Sequence, residues 1–211
     1  MTESVLVSVP TEKPEINNIS IAVFAADHGV AEEGVSAFPQ EVTTQMVANF
    51  LQGGAAISVL AKHLNAQLDI VDVGTLTPLP AQSGLTIKQI GEGTCNSAIE
   101  EAMTEDQLDK ALNIGRELIE KAISDKADIF IGGEMGIANT TTASVLYCAL
   151  LGLSPEETTG AGTGLDESGI SHKTEVIKRI LSLHEHCGED TLSWLRCAGG
   201  FEIAALTGTY I

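Results

Sequence analysis

Apolar positions along the chain follow two rhythms. Short unbroken runs, Ile19-Ser20-Ile21-Ala22-Val23-Phe24, Leu68 to Val73 and Ala127-Asp128-Ile129-Phe130-Ile131, read as strands buried on both faces. Between them the apolar residues recur at helical spacing. Glu41 to His63 is helical but broken at Gly53-Gly54, which predicts two helices or one kinked helix. Thr104-Glu105-Asp106-Gln107 is a capping box. It opens a long helix with an apolar face of Leu108, Ala111, Leu112, Gly115, Leu118, Ile119, Ala122 and Ile123. A glycine loop follows the third strand, then a helix from about Asn139 to Leu151. A second loop, Thr159 to Gly164, precedes a helix ending near His184, and Gly199-Gly200-Phe201 begins a last helix expected to be still running at Ile211. Thr75 to Gly93, rich in Gly and Pro, has room for a short edge strand at Leu85 to Ile90. Residues 1–18, with Pro10 and Pro14, read as a mobile leader holding at most a short strand at Val5 to Val9.

This alternation predicts an α/β fold: a doubly wound, mainly parallel sheet flanked by helices, in a single core domain over residues 19–211. Ligands of such sheets bind beyond the carboxyl ends of the strands, so the loops after the first and third strands are where chemistry is expected. Composition agrees: 44% of the 211 residues are hydrophobic and only 4% aromatic, which implies an aliphatic core. The 21 glycines cluster between apolar runs, where backbone must come close to a ligand.

Charge narrows the partners. Eleven basic against 29 acidic residues give a net charge of −18, which repels nucleic acid and anionic membranes. A small anion can still be held by a helix N-terminus and one well-placed lysine. No apolar stretch reaches membrane-spanning length and the N-terminus lacks a signal-peptide pattern, so a cytoplasmic protein is expected. Cys95, Cys148, Cys187 and Cys197 form no C-x-x-C pair and read as reduced thiols. His184-Glu185-His186-Cys187, with Cys197 beyond it, offers ligand types for a metal, but histidines at i and i+2 of a helix project to different sides, and no metal is expected.

The richest local signal is Gly132-Gly133-Glu134-Met135-Gly136-Ile137-Ala138-Asn139-Thr140-Thr141-Thr142. Glycines after a buried strand, followed by capping residues at a helix start, make either a phosphate seat or a plain capped turn. Glu134 is the carboxylate best placed to face a ligand. Gly160-Ala161-Gly162-Thr163-Gly164 lacks a preceding strand and the G-x-G-x-x-G spacing, which argues against a dinucleotide. Lys173 stands a turn into the next helix, where a lysine is ordinarily solvated. Asp27-His28 can be a base, a ligand or a turn cap, and Glu41 can simply favour a helix N-terminus.

Several segments together closely resemble the nicotinate-nucleotide:dimethylbenzimidazole phosphoribosyltransferases of cobalamin synthesis. They are Ala26-Asp27-His28-Gly29-Val30, Gly34 to Thr43, Gly53-Gly54-Ala55-Ala56-Ile57, Gly133 to Thr141, Gly162-Thr163-Gly164-Leu165-Asp166 with Lys173, and Gly199 to Ala204. The resemblance implies transfer of phosphoribosyl from nicotinate mononucleotide to 5,6-dimethylbenzimidazole, giving α-ribazole 5′-phosphate and nicotinate without metal or cofactor. An oxocarbenium-like transition state is stabilised by a nearby carboxylate, and a base takes the benzimidazole proton. Carried over, Glu134, Met135, Gly136, Ile137, Asn139, Thr140 and Thr141 line the nucleotide site, with Gly136 giving a phosphate N–H. Lys173 matches the phosphate lysine, Pro39, Gln40 and Met135 border the flat base, and Glu134 is the electrostatic candidate. A homodimer is expected of the full-length protein.

The sequence departs from the family pattern at Ala26 and Ala138, which replace glycines, and at Cys95 and Glu101, which replace an arginine and a proline. Family members begin earlier and continue past Ile211, and their general-base glutamate sits in an Arg-Leu-Gly-Glu-Gly motif with no counterpart here. The expectation is therefore a chain truncated at both ends and inactive alone. A non-catalytic nucleotide-binding or partner subunit is the alternative, and a nucleotide-dependent oxidoreductase is disfavoured by the missing fingerprint.

Overall fold

The computed structural model describes Val5–Leu6 and residues 15–211; the leader expected over residues 1–18 lies outside the described residues for most of its length. Among the described residues five strands form one sheet: β1 (Val5–Leu6), β2 (Ile19–Ala26), β3 (Gln67–Gly74), β4 (Leu85–Ile87) and β5 (Ile129–Met135). Their spatial order is β1-β5-β2-β3-β4, with β1 antiparallel to β5 and every other pair parallel. Chain direction reverses across β2. The link to β3 passes through α1 (Glu41–Leu51) and α2 (Ala56–His63), and the link back to β5 passes through α3 (Glu105–Ser124).

Period-two alternation divides the core. Val23, Ala25 and Ile70 pack with Val47, Phe50 and Ala55 from the α1–α2 side. Ala22, Phe24, Ala26, Val71 and Val73 face the larger cluster on the other side. That cluster is built by α3, α4 (Asn139–Leu151), α6 (Glu167–Leu183), α7 (Thr191–Ala198) and α8 (Phe201–Gly208), with short α5 (Pro155–Thr158) between α4 and α6. The sheet is thus covered on both faces, as the apolar runs predict.

The capping box of α3 is present: Gln107 N–H donates to Thr104 Oγ1, and Thr104 N–H to Gln107 Oε1. Most of the expected apolar face is buried, but Ile123 is exposed and Ile114 is buried instead, because the helix docks along a slightly rotated stripe. Gly115 faces the backbone of α8. A Cβ there would stand 1.9 Å from Ala205 O, and one on Gly208 would stand 2.0 Å from Leu112 O, so the two helices cross in main-chain contact.

Three further expectations are corrected. β5 runs through the glycines to Met135, since Gly132, Gly133, Glu134 and Met135 pair with Ala22, Val23, Phe24 and Ala25. Glu134 and Met135 therefore stand on a strand rather than in a loop. The last helix ends at Gly208 rather than running to the terminus. Finally, α6 stops at Leu183 and His184 to Cys187 form its cap and a 3-10 turn. The α-helical argument for separating His184 from His186 does not hold there.

Candidate functional site

Because the chain crosses from one side of β2 to the other, the carboxyl ends of β2 and β5 flank a switch point where a crevice opens. Asp27 and His28 follow β2 directly. His28 is fully buried, held by a backbone bridge to Thr94 and by two side-chain contacts. Its Nε2 lies 2.7 Å from Glu202 Oε1, and its Nδ1 lies 3.2 Å from Thr142 Oγ1.

Glu202 comes from the first turn of α8, where a carboxylate is favoured by the helix N-terminus. Asn139 Nδ2 also donates to Oε1 at 2.8 Å, while buried Oε2 has no partner among the described residues. Gly200 permits this packing, since a Cβ there would lie 2.4 Å from His28 Cε1 and 2.5 Å from Glu202 Oε2. Burial opposes the imidazolium of His28, but the carboxylates of Glu202, Glu134 and Asp27 outweigh it and raise its pKa. Asp27 is also raised, by burial, against hydrogen bonds from the Thr43 hydroxyl and the Leu76 N–H.

Glu134 reaches solvent at the mouth of the crevice yet is enclosed by protein beneath. That enclosure and the charge of Glu202 raise its carboxyl to about 7. It shares an apolar cleft of about 350 Å³ with Leu146, Tyr147, Leu150, Leu151 and Ile203.

On the other side of α4 the buried cation is Lys173. Its side chain is inaccessible, its Nζ donates to Thr140 Oγ1 at 2.7 Å, and burial lowers its pKa to about 8. Among the described residues no carboxylate forms an ion pair with it. The loop before α6 closes on this pair: a Cβ on Gly162 would lie 2.9 Å from Thr140 Oγ1 and 3.3 Å from Lys173 Nζ. A buried ammonium without a counter-ion, beside a hydroxyl at a helix start, is an arrangement completed by an anion.

A second cleft of about 300 Å³ opens next to Asp27, between Phe38, Pro39, Gln40, Leu76 and Thr77. Gln40 is fixed in it by donating Nε2–H to His28 O at 2.8 Å. A cleft of mixed polar and apolar lining, with Asp27, Glu32 and Glu41 among its walls, is thereby tied to the His28 hub through one side chain.

The structure brings Pro39 and Gln40 to one cleft, and Thr140 and Lys173 to one polar seat. Asn139 is committed to Glu202, and Gly136 packs against Ala26 O and the His28 ring. Three expected residues stand elsewhere. Ile137 is buried with its N–H spent on Thr43 Oγ1, and Thr141 is buried with its hydroxyl unpartnered among the described residues. Met135 is half-buried and packs against the core cluster on the α1–α2 side. Sequence reasoning gives no role to Glu202 or Thr142. The available signal is that Glu202 is the lone charged residue of Phe201–Gly208 and stands in its first turn.

Against known proteins, the family model described as Phosphoribosyltransferase matches residues 4–211. A nicotinate-nucleotide–dimethylbenzimidazole phosphoribosyltransferase of Pseudomonas putida KT2440 is 52% identical over 95% of this chain and 57% of its own. One from Pseudomonas fluorescens SBW25 is 54% identical over 94% of this chain and 57% of its own. Among solved structures, CobT from Thermus thermophilus superposes with a TM-score of 0.88 at 44% identity, covering 94% of this chain and 59% of that one. The chain therefore spans a little over half the length of the curated relatives it matches.

Proposed function

The chain belongs to the phosphoribosyltransferase family, and on that premise we propose that its crevice binds nicotinate mononucleotide for transfer of the phosphoribosyl group to 5,6-dimethylbenzimidazole. The products are α-ribazole 5′-phosphate and nicotinate, in cobalamin synthesis. The observation that carries this reading is the buried Lys173, without a counter-ion among the described residues, against Thr140 and the Gly162 loop, which suits the 5′-phosphate. In this reading the slot between Phe38, Pro39 and Gln40 takes the flat benzimidazole. Glu134, near the carboxyl end of β5, faces the positive charge that develops on the ribose as the pyridinium departs. His28 and Glu202 are buried behind it and act as the support that holds the β2 and β5 ends together. Assembly as a homodimer in the cytoplasm belongs to the same reading, supported by the exposed apolar residues Tyr147, Leu150 and Leu151 on α4.

The test is calorimetric titration of nicotinate mononucleotide and of nicotinate riboside, with and without Lys173→Met. The mononucleotide is expected to bind more tightly than the riboside in the native protein alone, with the advantage gone in the variant. Equal affinity for both ligands in the native protein would remove the phosphate from this seat.

A further inference from the structure

The helix break at His184 gathers side chains that the mechanism does not use. One ligand atom each from His184, His186 and Cys197 lie within 4.8 Å of one another. The two imidazoles stand edge to face with centroids 5.9 Å apart, and Cys197 reaches them from the last turns of α7. We propose that these three side chains form a binding site for a divalent transition metal of the zinc class.

The independent observation is at His184, which is 2% exposed. Its Nε2 lies 2.8 Å from Ser97 O. A carbonyl only accepts, so Nε2 carries the hydrogen and Nδ1 keeps its lone pair. That buried Nδ1 has no hydrogen-bond partner among the described residues. A ring oriented by a backbone carbonyl with its other nitrogen free is the arrangement of a metal-binding histidine. Two imidazoles with a thiolate suit zinc and its neighbours over magnesium or calcium, which prefer oxygen.

Tetrahedral bonds of about 2.0–2.1 Å to nitrogen and about 2.3 Å to sulfur need ligand atoms about 3.3–3.7 Å apart. The cluster must contract by about 1 Å from its widest spacing, and His186, exposed to solvent, is free to rotate inward. On binding, the S–H bond of Cys197 breaks and an S–metal bond forms. Glu101 Oε1, already 3.7 Å from Sγ, lies on the proton's route to solvent. A water, reaching the ion from the solvent side at exposed His186, completes the shell. An ion there would staple the end of α6 to α7 and to the Ser97 segment, whose backbone already pairs with α7 through Ala102 N–H to Cys197 O at 2.9 Å.

The experiment is titration of the metal-free, thiol-reduced chain with Co²⁺, followed by displacement with Zn²⁺. One equivalent should produce a thiolate-to-cobalt charge-transfer band and a tetrahedral visible band, both erased by zinc. Cys197→Ser should abolish the charge-transfer band. His186→Ala, at an exposed position that leaves the core intact, should weaken affinity by at least about 10–100-fold, the range that even supporting residues cost. Absence of the band in the native chain, its survival in Cys197→Ser, or unchanged affinity in His186→Ala would overturn the assignment.

Discussion

Glu202 Oε1 and His28 Nε2 are 2.7 Å apart and fully buried, though 174 residues separate them in the chain. Since the folded-state pKa of His28 is raised above 6.5, the folded state binds the extra proton. The stabilisation is fully present below pH 6.5 and is lost as pH rises through the higher folded value. Urea unfolding across that range should show the native chain losing stability with rising pH and Glu202→Gln losing markedly less. Glu202→Ala, which leaves the imidazole unpaired, should cost about 3–5 kcal/mol.

Lys173 has the opposite dependence. Its pKa falls from 10.5 to about 8 on folding, so the unfolded chain binds more protons between those values. Stability should rise with pH across that interval, and the cost of the buried charge is complete below it. Lys173→Met should remove this dependence and stabilise the ligand-free chain by roughly 1–3 kcal/mol, while abolishing the rise in melting temperature given by nicotinate mononucleotide. A variant less stable than the native chain at neutral pH would show that Lys173 is satisfied without an anion.

Ala138 adopts φ 73° at the start of α4, a left-handed conformation disfavoured by its Cβ. Ala138→Gly should therefore stabilise the chain by about 1 kcal/mol, and the β-branched Ala138→Val should destabilise it by more. Denaturant midpoints at constant slope measure both changes, and a destabilised glycine variant would count against strain at this position.

Under the proposed function, turnover is expected to need more than the 211 residues, since the curated relatives are longer and the base motif that the resemblance implies is not in this sequence. Chromatography should detect no α-ribazole phosphate from this chain. Product should form once the remaining segment of the Pseudomonas putida relative is joined to it. In that active protein Glu134→Gln should lower kcat by about 10²–10³ with little change in KM. With Glu134 titrating at about 7, the native rate should also decline toward lower pH. A Glu134→Gln variant at full rate would leave the carboxylate without an electrostatic part.

The sheet and its long helices are legible in the sequence because their signals are local. Unbroken aliphatic runs mark β2, β3 and β5, and the Thr104 capping box marks α3 to the residue. Gly132-Gly133 misleads because glycine ordinarily ends a strand, whereas here the neighbouring β2 supplies hydrogen bonds on one side and carries the pairing to Met135. α7, only eight residues long, gives too short a period to be read. In the site, Lys173 and Glu134 stand out from their loops, but the burial of one and the shifted carboxyl of the other depend on packing from distant segments. Glu202 is invisible for the same reason, while the His184, His186 and Cys197 ligand types are visible but are set aside on an α-helical geometry that ends at Leu183.

The main-chain crossing of α3 and α8 at Gly115 and Gly208 bears on how the molecule is made. α8 brings Glu202 to His28, and it docks by fitting a smooth helix surface against one formed much earlier. During synthesis the β2 end, the Lys173 seat and the cleft at Pro39 and Gln40 all leave the ribosome before the residues that lock them. A nascent chain halted short of α8 would hold His28 without its carboxylate, and the crevice would lack one wall. Closure of the polar hub thus waits on α8, whose Glu202 makes the most sequence-distant of the contacts to His28.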